Sequence, residues 1–492
     1  MTDAAVSAWL TDWLPAQRWF PGRGRRPARV DVLDAVTLDT SVTWWLLEVT
    51  GIAGVNGVTD GTGGTGGSDR TAPARFSVPL RHRDGAATAA WDCALTDDDT
   101  VRRLIALSTH GGSWQGRHGH ILGVPVADAR PAVDGAVAAV TGEQSNSTVV
   151  LAQRSGLKVL RRVQAGPHPD LELPRALAGQ RPACTPAVQG ALSYIDANGA
   201  DTTLGVLTDW HPHAQSGWDL VTAAWAAGDR TRLEWAAAGI GAALARLHRA
   251  LAETFDPQPW TAAQLAAWAA DLRREVTATL RLGADAGADI GAVLRAAEAG
   301  AFALVDDLQD RSRSGRLDTL GVRQRIHGDC HLGQTLADAA PSVDDAREPT
   351  GTGWLFIDFE GEPDRPLACR REAAAPARDV AGLLRSFDYA AAVAAGGDHA
   401  AAVAAGGRDA HGTQTRERLR RRLVGAYRTE AGQHLGPPST PAGDADWARL
   451  LAASELEKAC YELRYELAHR PDWAAIPAQG ILRVSRTRGT QR

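Results

Sequence analysis

The sequence is poor in lysine and methionine, and it has no long apolar run. Its 53 basic residues include two lysines, Lys158 and Lys458, and the others are arginines. Lysine carries a compact point charge, whereas arginine presents a wide planar fork, so a site built around one does not accept the other. In a chain that uses arginine for its surface cations, the two remaining lysines indicate positions where a small ammonium group is needed.

Other absences exclude several classes of protein. The five cysteines are scattered without a CxxC pair, which argues against a zinc knuckle and against a disulfide framework. No stretch approaches the roughly 20 apolar residues of a membrane span, and the first residues lack the continuous apolar run of a signal peptide. The net charge is −5, and the basic residues are spread along the chain, so neither nucleic acid nor a membrane is expected as a partner. We expect a soluble, cytoplasmic protein.

The length predicts two or three domains, because 492 residues exceed one compact core. Short strand-like runs dominate the first part, and alanine-rich helical patterns follow from about residue 217. We predict an N-terminal cap over residues 1–110 with a flexible glycine-rich insertion near 53–70, an ATP-binding N-lobe over 111–210, and a helical C-lobe over 211–492. This order indicates an α+β fold of two lobes, with any site in the cleft between them.

Some local elements can be predicted within this frame. Residues 137–163 read as strand, turn and strand, and "TTLGVLTDWHP" reads as a further strand that ends at a proline. Thr261 is placed to cap a long helix. Two short apolar strands, "RIHGD" and "GWLFIDFE", are expected to interrupt the helical region.

The segment "RIHGDCHLGQT" carries the strongest chemical signal. Asp329 is followed five residues later by Gln334, and Asp358 comes at the end of the apolar run "WLFID". One carboxylate beside a substrate hydroxyl, together with an amide oxygen and a second carboxylate on a hard divalent ion, is what phosphoryl transfer requires. Magnesium prefers such oxygen ligands.

The same segment permits a metal-dependent hydrolase. His327, Asp329 and His331 alternate, so on an extended backbone all three would face one side, as in a zinc or manganese site. Such a site needs further histidines, and the others in the chain are mostly isolated. For His327 we favour a role in supporting the loop by hydrogen bonding.

An upstream turn favours the phosphoryl-transfer interpretation. "GEQSNSTVV" is rich in small hydroxyl and amide residues, including Ser145, Asn146 and Ser147, and Lys158 lies on the next strand. A turn whose backbone N–H groups hold phosphate, followed by a lysine that reaches the phosphates, is how kinase-like folds bind ATP. Turn, lysine, Asp329 with Gln334, and Asp358 occur in the order that a kinase requires.

The chain resembles a known family at these motifs. "EQSNSTVV", "LKVLRR", "RIHGDCHLGQTL", "FIDFEGEP" and "EKACYELRYELAHRPDW" are similar to segments of the actinobacterial maltokinases, from about residue 140 to 482, and "AQRWFPGRGR" matches near the start. The resemblance implies the aminoglycoside-phosphotransferase-like form of the eukaryotic kinase fold. It also implies that the protein uses Mg²⁺ and transfers the ATP γ-phosphate to maltose, which yields maltose 1-phosphate for glycogen synthesis. Functional coupling to trehalose synthase and a maltosyltransferase is implied as well.

Roles follow from the resemblance position by position. Asp329 matches the catalytic aspartate, and Gln334 and Asp358 match the two magnesium ligands. Lys158 matches the phosphate-contacting lysine, with Glu172 as its expected partner on the following helix.

The same resemblance places the adenine and the sugar. The end of the strand at Thr208 to Trp210 is expected to supply backbone contacts to adenine. For the sugar, Glu457 and Tyr461 are candidates, because they lie four residues apart and therefore on one face of a helix. Such a face could equally pack inward. The remaining candidates for substrate binding are His331, Glu360 and Lys458.

Lys458 could pair with Glu455 or Glu462 on its own helix. Arginine would serve that purpose equally well, so we predict a buried or substrate-side contact for Lys458. Glucosamine or an aminoglycoside remains open as the acceptor, since related kinases share the "HGD" pattern. A nucleotide-binding pseudokinase is the alternative outside catalysis.

Overall fold

A computed structural model describes most of the chain as two compact units. The glycine-rich insertion and residues 339–352 lie outside the described residues, which are 3–52, 73–82, 91–127, 129–132, 134–142, 145–338, 353–362, 365–394, 410–435 and 440–486. The first unit comprises Met1–Ala178, Thr185–Pro212 and Phe359–Arg371, and the second comprises Gly179–Cys184, His213–Asp358 and Glu372–Arg492. The predicted boundaries at residues 110 and 210 stay predictions.

The first unit begins with helix α1 (Asp3–Trp13) and an antiparallel sheet. The sheet has the order β1-β2-β3-β10, with β4 paired to β3; its strands are β1 (Arg29–Thr37), β2 (Val42–Thr50), β3 (Ala74–His82), β4 (Trp91–Cys93) and β10 (Arg162–Val163). Val6 and Leu10 of α1 belong to one buried cluster with Leu47 and Phe76 of the sheet. The strands are rich in valine, tryptophan and phenylalanine, which fit a pleated, half-buried surface.

A second antiparallel sheet completes the first unit. Its order is β5-β6-β11-β12-β9-β8-β7, and its strands are β5 (Ser113–Gln115), β6 (Gly119–Pro125), β7 (Val137–Ala139), β8 (Ser147–Leu151), β9 (Ser155–Val159), β11 (Val188–Asp196) and β12 (Asp201–Asp209). Helix α2 (Asp98–His110) lies against it. Gly123 and Gly190 permit this approach, because a Cβ at either position would meet backbone carbonyls of α2 at 1.9 and 2.3 Å. Helices α3 (Pro169–Ala176) and α8 (Leu367–Arg370) also belong to this unit.

The second unit is mainly helical. Its helices are α4 (Gly217–Ala226), α5 (Arg230–Thr254), α6 (Ala262–Asp285), α7 (Ala288–Arg313), α9 (Ala377–Ala394), α10 (Ala410–Leu435), α11 (Pro441–His469) and α12 (Ala475–Arg486). Thr261 caps α6 in a reciprocal capping box with Gln264, as its sequence predicts. Two small sheets join distant parts of this unit: β13 (Gln215–Ser216) with β16 (Thr335–Ala337) and β17 (Trp354–Phe356), and β14 (Gln258–Pro259) with β15 (Val322–Arg323).

The predicted α+β class is confirmed, and so are the hairpin of β8 and β9 and the strand in "GWLFIDFE". The predicted strand "RIHGD" is wrong, because residues 325–329 form no ladder and only Val322–Arg323 pairs with a neighbouring strand. The backbone N–H groups of residues 327–329 are bonded to side chains instead. None of the helices in the described ranges combines the length and the hydropathy that a bilayer span requires.

Candidate active site

The loop that carries Asp329 is held by a buried carboxylate. Asp379, in the first turn of α9, accepts hydrogen bonds from the backbone N–H groups of His327 at 2.7 Å and Gly328 at 3.0 Å. A third bond comes from His248 Nε2 at 2.9 Å, and His248 Nδ1 lies 2.9 Å from the Tyr427 hydroxyl. Burial alone would raise the pKa of Asp379, but these donors and the two histidines bring it below its usual value. An ionised carboxylate therefore fixes the backbone just before Asp329.

Asp329 is paired with the lysine that the sequence singles out. Lys458 Nζ donates to Asp329 Oδ1 at 2.9 Å, and the two side chains are 19% and 24% exposed. Burial would raise the pKa of Asp329, but Lys458 and then His331 outweigh it and hold the pKa below its usual value. The carboxylate is consequently ionised at neutral pH and can accept a proton. Lys458, for which the sequence predicts a buried or substrate-side contact, is thus bonded to the predicted catalytic aspartate.

The two neighbouring histidines serve the loop. His327 Nε2 bonds to the Ile357 carbonyl oxygen at 2.9 Å, and its Nδ1 accepts from the Asp329 N–H at 3.4 Å. His331 Nδ1 accepts from the Gly333 N–H at 3.1 Å, and burial lowers the pKa of His331. With both ring nitrogens of His327 bonded to the backbone, the hydrolase arrangement lacks one of its ligands. Among the described residues, no group of three or more His, Cys, Asp and Glu side chains is placed to hold a metal ion.

Gln334 and Asp358 lie side by side. Gln334 Nε2 donates to Asp358 Oδ2 at 2.7 Å, which brings the amide of Gln334 and the carboxylate of Asp358 into contact. Asp358 has a φ of +64°, a left-handed conformation that aspartate tolerates better than most residues. If the Gln334 amide turned over, its oxygen and the Asp358 carboxylate would be the kind of ligands that suit Mg²⁺, which is usually held by one or two protein ligands together with substrate phosphates and water.

In the first unit, Lys158 is the centre of a second charged cluster. Its Nζ lies 2.8 Å from Asp170 Oδ2 and 3.5 Å from Glu360 Oε1. Asp170 Oδ1 accepts from the Phe359 N–H at 2.7 Å. Glu360, predicted at the sugar, is thus grouped with the candidates for phosphate binding.

The predicted partner of Lys158 is corrected by this geometry. Glu172 forms hydrogen bonds with Arg371 at 2.8 and 3.2 Å, whereas the carboxylate 2.8 Å from Lys158 belongs to Asp170. Two residues along a helix change the direction of a side chain by roughly 200°, so Asp170 and Glu172 cannot share a partner easily. The sequence placed the ion pair on the correct helix but at the wrong acidic residue.

The polar turn before β8 uses its side chains internally. Asn146 donates to Glu360 Oε1 at 2.9 Å and accepts from the Arg161 N–H at 3.1 Å, and Ser147 Oγ accepts from Arg161 Nε at 2.9 Å. Ser145 Oγ lies 3.5 Å from Glu360. The side chains of Asn146 and Ser147 shape the turn, so phosphate binding there would fall to backbone N–H groups and to Ser145.

The predicted adenine contacts lie at the end of β12. Thr208 pairs with Gly156 of β9 and Val188 of β11. The N–H groups of Asp209 and Trp210 donate hydrogen bonds to the carbonyl oxygens of Ala187 and Arg154, at 2.9 and 2.8 Å. A nucleotide base at this edge would therefore use carbonyl oxygens, and the Trp210 side chain is 36% exposed.

The sugar-side candidates of α11 lie on one stretch of that helix. Glu457 accepts from Arg378 at 3.1 Å and from Trp268 Nε1 at 3.0 Å. Lys458 Nζ lies 5.1 Å from the centroid of the Tyr461 ring. Glu457 and Tyr461 are both partly exposed, and Glu457 is held rigidly by its two donors. This stretch of α11 thus carries a carboxylate and, beside Lys458, an aromatic ring, the groups that commonly bind sugars.

Sequence reasoning missed several of these residues. The sequence favours helix capping for Asp379, since aspartate is strongly preferred before an apolar helical run, and it does not single out Asp170, Arg378 or Trp268. A weak signal exists for Asp379, because an acidic residue in the first turn of an apolar helix is common, but its partners come from loops 50 and more residues away in sequence. No local pattern reports such distant contacts.

A family model and several relatives match this chain. Residues 13–114 match the Maltokinase N-terminal cap domain. A glucosamine kinase of Mycolicibacterium smegmatis is 29% identical over 348 residues, which is 69% of this chain and 77% of that protein. A glucosamine kinase of Streptacidiphilus jiangxiensis is 28% identical over 431 residues, which is 82% of this chain and 84% of that protein.

Solved structures confirm the fold. A glucosamine kinase structure superposes with a TM-score of 0.63 at 22% identity, covering 96% of this chain and 97% of that one. Another, described as glucosamine kinase in complex with glucosamine, ADP and inorganic phosphate, gives a TM-score of 0.58 at 21% identity and covers 97% and 98% of the two chains. The resemblance to maltokinases is confirmed at the cap, and the kinase-like fold with an N-terminal β-rich cap is confirmed for the whole chain.

Proposed function

We propose that this protein is an ATP-dependent sugar kinase. One observation carries the proposal: Asp329, ionised and bonded to Lys458, lies in the same unit as the contacting side chains of Gln334 and Asp358. A base for a hydroxyl and two ligands for a hard divalent ion are the parts that phosphoryl transfer needs. The relatives named as sugar kinases support the same class of reaction.

In the proposed reaction, a sugar hydroxyl oxygen attacks the γ-phosphorus of ATP and forms a new O–P bond. The bond from the γ-phosphorus to the bridging oxygen breaks, its electron pair leaves with ADP, and the hydroxyl proton passes to the carboxylate of Asp329. Gln334 and Asp358 would hold Mg²⁺, which neutralises phosphate charge when it is bound. Asp379 keeps the backbone of the loop fixed, so that Asp329 needs no reorganisation when the substrate arrives.

The cluster around Lys158 is the proposed phosphate-binding part of the first unit. A lysine held by two carboxylates is oriented before the nucleotide binds, and a phosphate can then replace one of the two. Asp170 also bonds to the Phe359 N–H, so it is the more firmly placed of the two carboxylates. Glu360 is the one that we expect to exchange.

Maltose is the acceptor that the motifs and the cap favour, and with maltose the product would be maltose 1-phosphate. Glucosamine is the second candidate, and the relatives favour it. The cap match ends at residue 114 and contains none of the candidate residues for acceptor binding, whereas the matches to both glucosamine kinases extend over most of their lengths. For the acceptor site, the relatives are therefore the stronger argument, and we place glucosamine ahead of maltose.

A coupled assay of ADP release tests the proposal, with maltose, glucosamine, glucose and an aminoglycoside offered separately. We expect turnover with a sugar acceptor, dependence on Mg²⁺, and a loss of three or more orders of magnitude in the Asp329→Asn variant. Nucleotide binding without turnover on any acceptor would support a pseudokinase instead. Turnover that Asp329→Asn leaves unchanged would exclude the assigned base.

A further inference from the structure

Lys458 makes a contact that the proposed reaction does not by itself require. It lies on α11, 129 residues after Asp329 in sequence, and its Nζ is 2.9 Å from Asp329 Oδ1. The side chain is mostly buried, at 19% exposure. Burying an ammonium group is costly unless a partner of opposite charge compensates for it, so this contact is maintained at a cost in solvation.

The acidic neighbours of Lys458 on α11 also have arginine partners. Glu455 is bonded to Arg420 at 2.6 Å and to Arg483 at 3.3 Å, and Glu462 is bonded to Arg385 at 2.8 Å. These neighbours thus have arginine partners, as the composition of the chain would suggest. Lys458 interacts electrostatically with Glu462 as well, and its ammonium group donates a hydrogen bond to Asp329 Oδ1.

We propose that Lys458 is a positioning residue for the catalytic carboxylate: it holds Oδ1 of Asp329 so that Oδ2 is presented to the acceptor hydroxyl. This inference rests on the proposed function. A carboxylate with one oxygen fixed by a charged donor has lost rotation about its last bond, and its second oxygen points in a defined direction. Correct placement of a base within hydrogen-bond reach is the first requirement of proton transfer.

The charge of Lys458 has a second effect, on the proton affinity of the base. The charged and titratable groups that interact with Asp329 are Lys458 from α11 and His327, Cys330 and His331 from its own loop. Glu462 of α11 interacts with Lys458, Asp379 of α9 with Cys330, and Asp358 with His331. Of these, Lys458 makes the largest contribution that opposes burial. Without it, burial would dominate, and the pKa of Asp329 would rise.

Arginine cannot replace Lys458 at this position. A guanidinium group is longer and planar, and it would engage both oxygens of the carboxylate, which would cover Oδ2. The near absence of lysine from the sequence agrees with this requirement.

Steady-state kinetics as a function of pH test the proposal on Lys458→Met and Lys458→Arg. We expect the wild-type kcat/KM to stay flat down to about pH 5.5, whereas Lys458→Met loses activity on the acid side at higher pH. In Lys458→Arg the charge remains, so the profile should keep its shape while kcat falls at least tenfold. Arg464→Met is the control, because Arg464 is on the same helix and pairs with Glu275. A wild-type profile in Lys458→Met, together with a wild-type kcat in Lys458→Arg, would overturn the proposal.

A measurement without turnover separates this proposal from the proposed function. We would compare thermal unfolding midpoints of the wild type, Asp329→Asn, Lys458→Met and the double variant at pH 7. If the two groups are paired, the double variant should lose less than the sum of the two single losses. Additive losses would overturn the pairing even in an active kinase, and coupled losses in a protein that phosphorylates no sugar would refute only the proposed reaction.

Discussion

Replacement of Asp379 by asparagine is the sharpest test of how the catalytic loop is held. The Asp379 side chain is 1% exposed, and its two oxygens accept three bonds, from the N–H groups of His327 and Gly328 and from His248 Nε2. An asparagine has one oxygen and one NH₂ group. In either orientation the NH₂ group would face at least one of these three donors.

The expected cost follows from those contacts. A hydrogen bond to a charged group contributes about 1.5–3 kcal/mol, and a buried donor left without an acceptor costs about 1–3 kcal/mol more. We therefore expect Asp379→Asn to lower the free energy of unfolding by about 3 kcal/mol, which corresponds to a fall in Tm of about 6 °C. The loop before Asp329 should also shift, and a displacement of about 1 Å at a catalytic group costs roughly a hundredfold in kcat.

Thermal unfolding followed by circular dichroism, and kcat under saturating substrates, would measure both effects. Tyr427→Phe is the matched control, since it removes only the outer bond to His248 and should cost about 1 kcal/mol. Because the folded pKa of Asp379 is lowered, its stabilisation is complete above about pH 4 and is lost as the pH falls further, so the difference in Tm should shrink there. An Asp379→Asn protein that unfolds within a degree of the wild type at pH 7 would refute this account.

Three further predictions concern neighbouring residues. Asp329→Asn should reduce kcat by at least about a thousandfold while leaving the Kd for ADP, measured by calorimetry, within about threefold of the wild type; a large loss of ADP binding would contradict its assignment as a base. Gln334→Ala and Asp358→Ala should each raise the Mg²⁺ concentration for half-maximal activity at least about tenfold, and an unchanged Mg²⁺ titration would exclude them as ligands. Gly382→Ala would place a Cβ 2.3 Å from the Cys330 carbonyl oxygen, so we expect a loss of about 1–3 kcal/mol in unfolding free energy together with a lower kcat; normal stability and activity would show that the loop can move.

The sequence predicts those parts of the fold that local patterns determine. Short apolar runs separated by polar turn residues identify β8 and β9, and the Thr261 cap marks the start of α6, because hairpin pairing and capping depend on residues close together in the chain. The segment 325–329 was misjudged as a strand for the same reason. Its apolar and β-branched residues suit a ladder, but its backbone bonds are made by the side chain of Asp379 from another element.

In the candidate site, too, the sequence identifies residues but not their distant contacts. Residue type and order were enough to pick out Asp329, Gln334, Asp358 and the two lysines. The partner of each residue could not be derived from the sequence. Lys158 pairs with Asp170, whereas Glu172 bonds to Arg371, because the two acidic side chains leave α3 in different directions. The scarcity of lysine in the chain gave the most specific signal for Lys458. Its contact with Asp329 could not be foreseen, because that contact depends on how α11 packs.

Both lysine side chains of the chain lie in ion pairs with functional carboxylates, at 20% and 19% exposure. Apart from the terminal amine, an acylating reagent therefore has no other primary amine to modify. Because both ammonium groups are mostly buried and paired, their acylation should be slow, and the further protection of each lysine by nucleotide or sugar could be read directly from a peptide map.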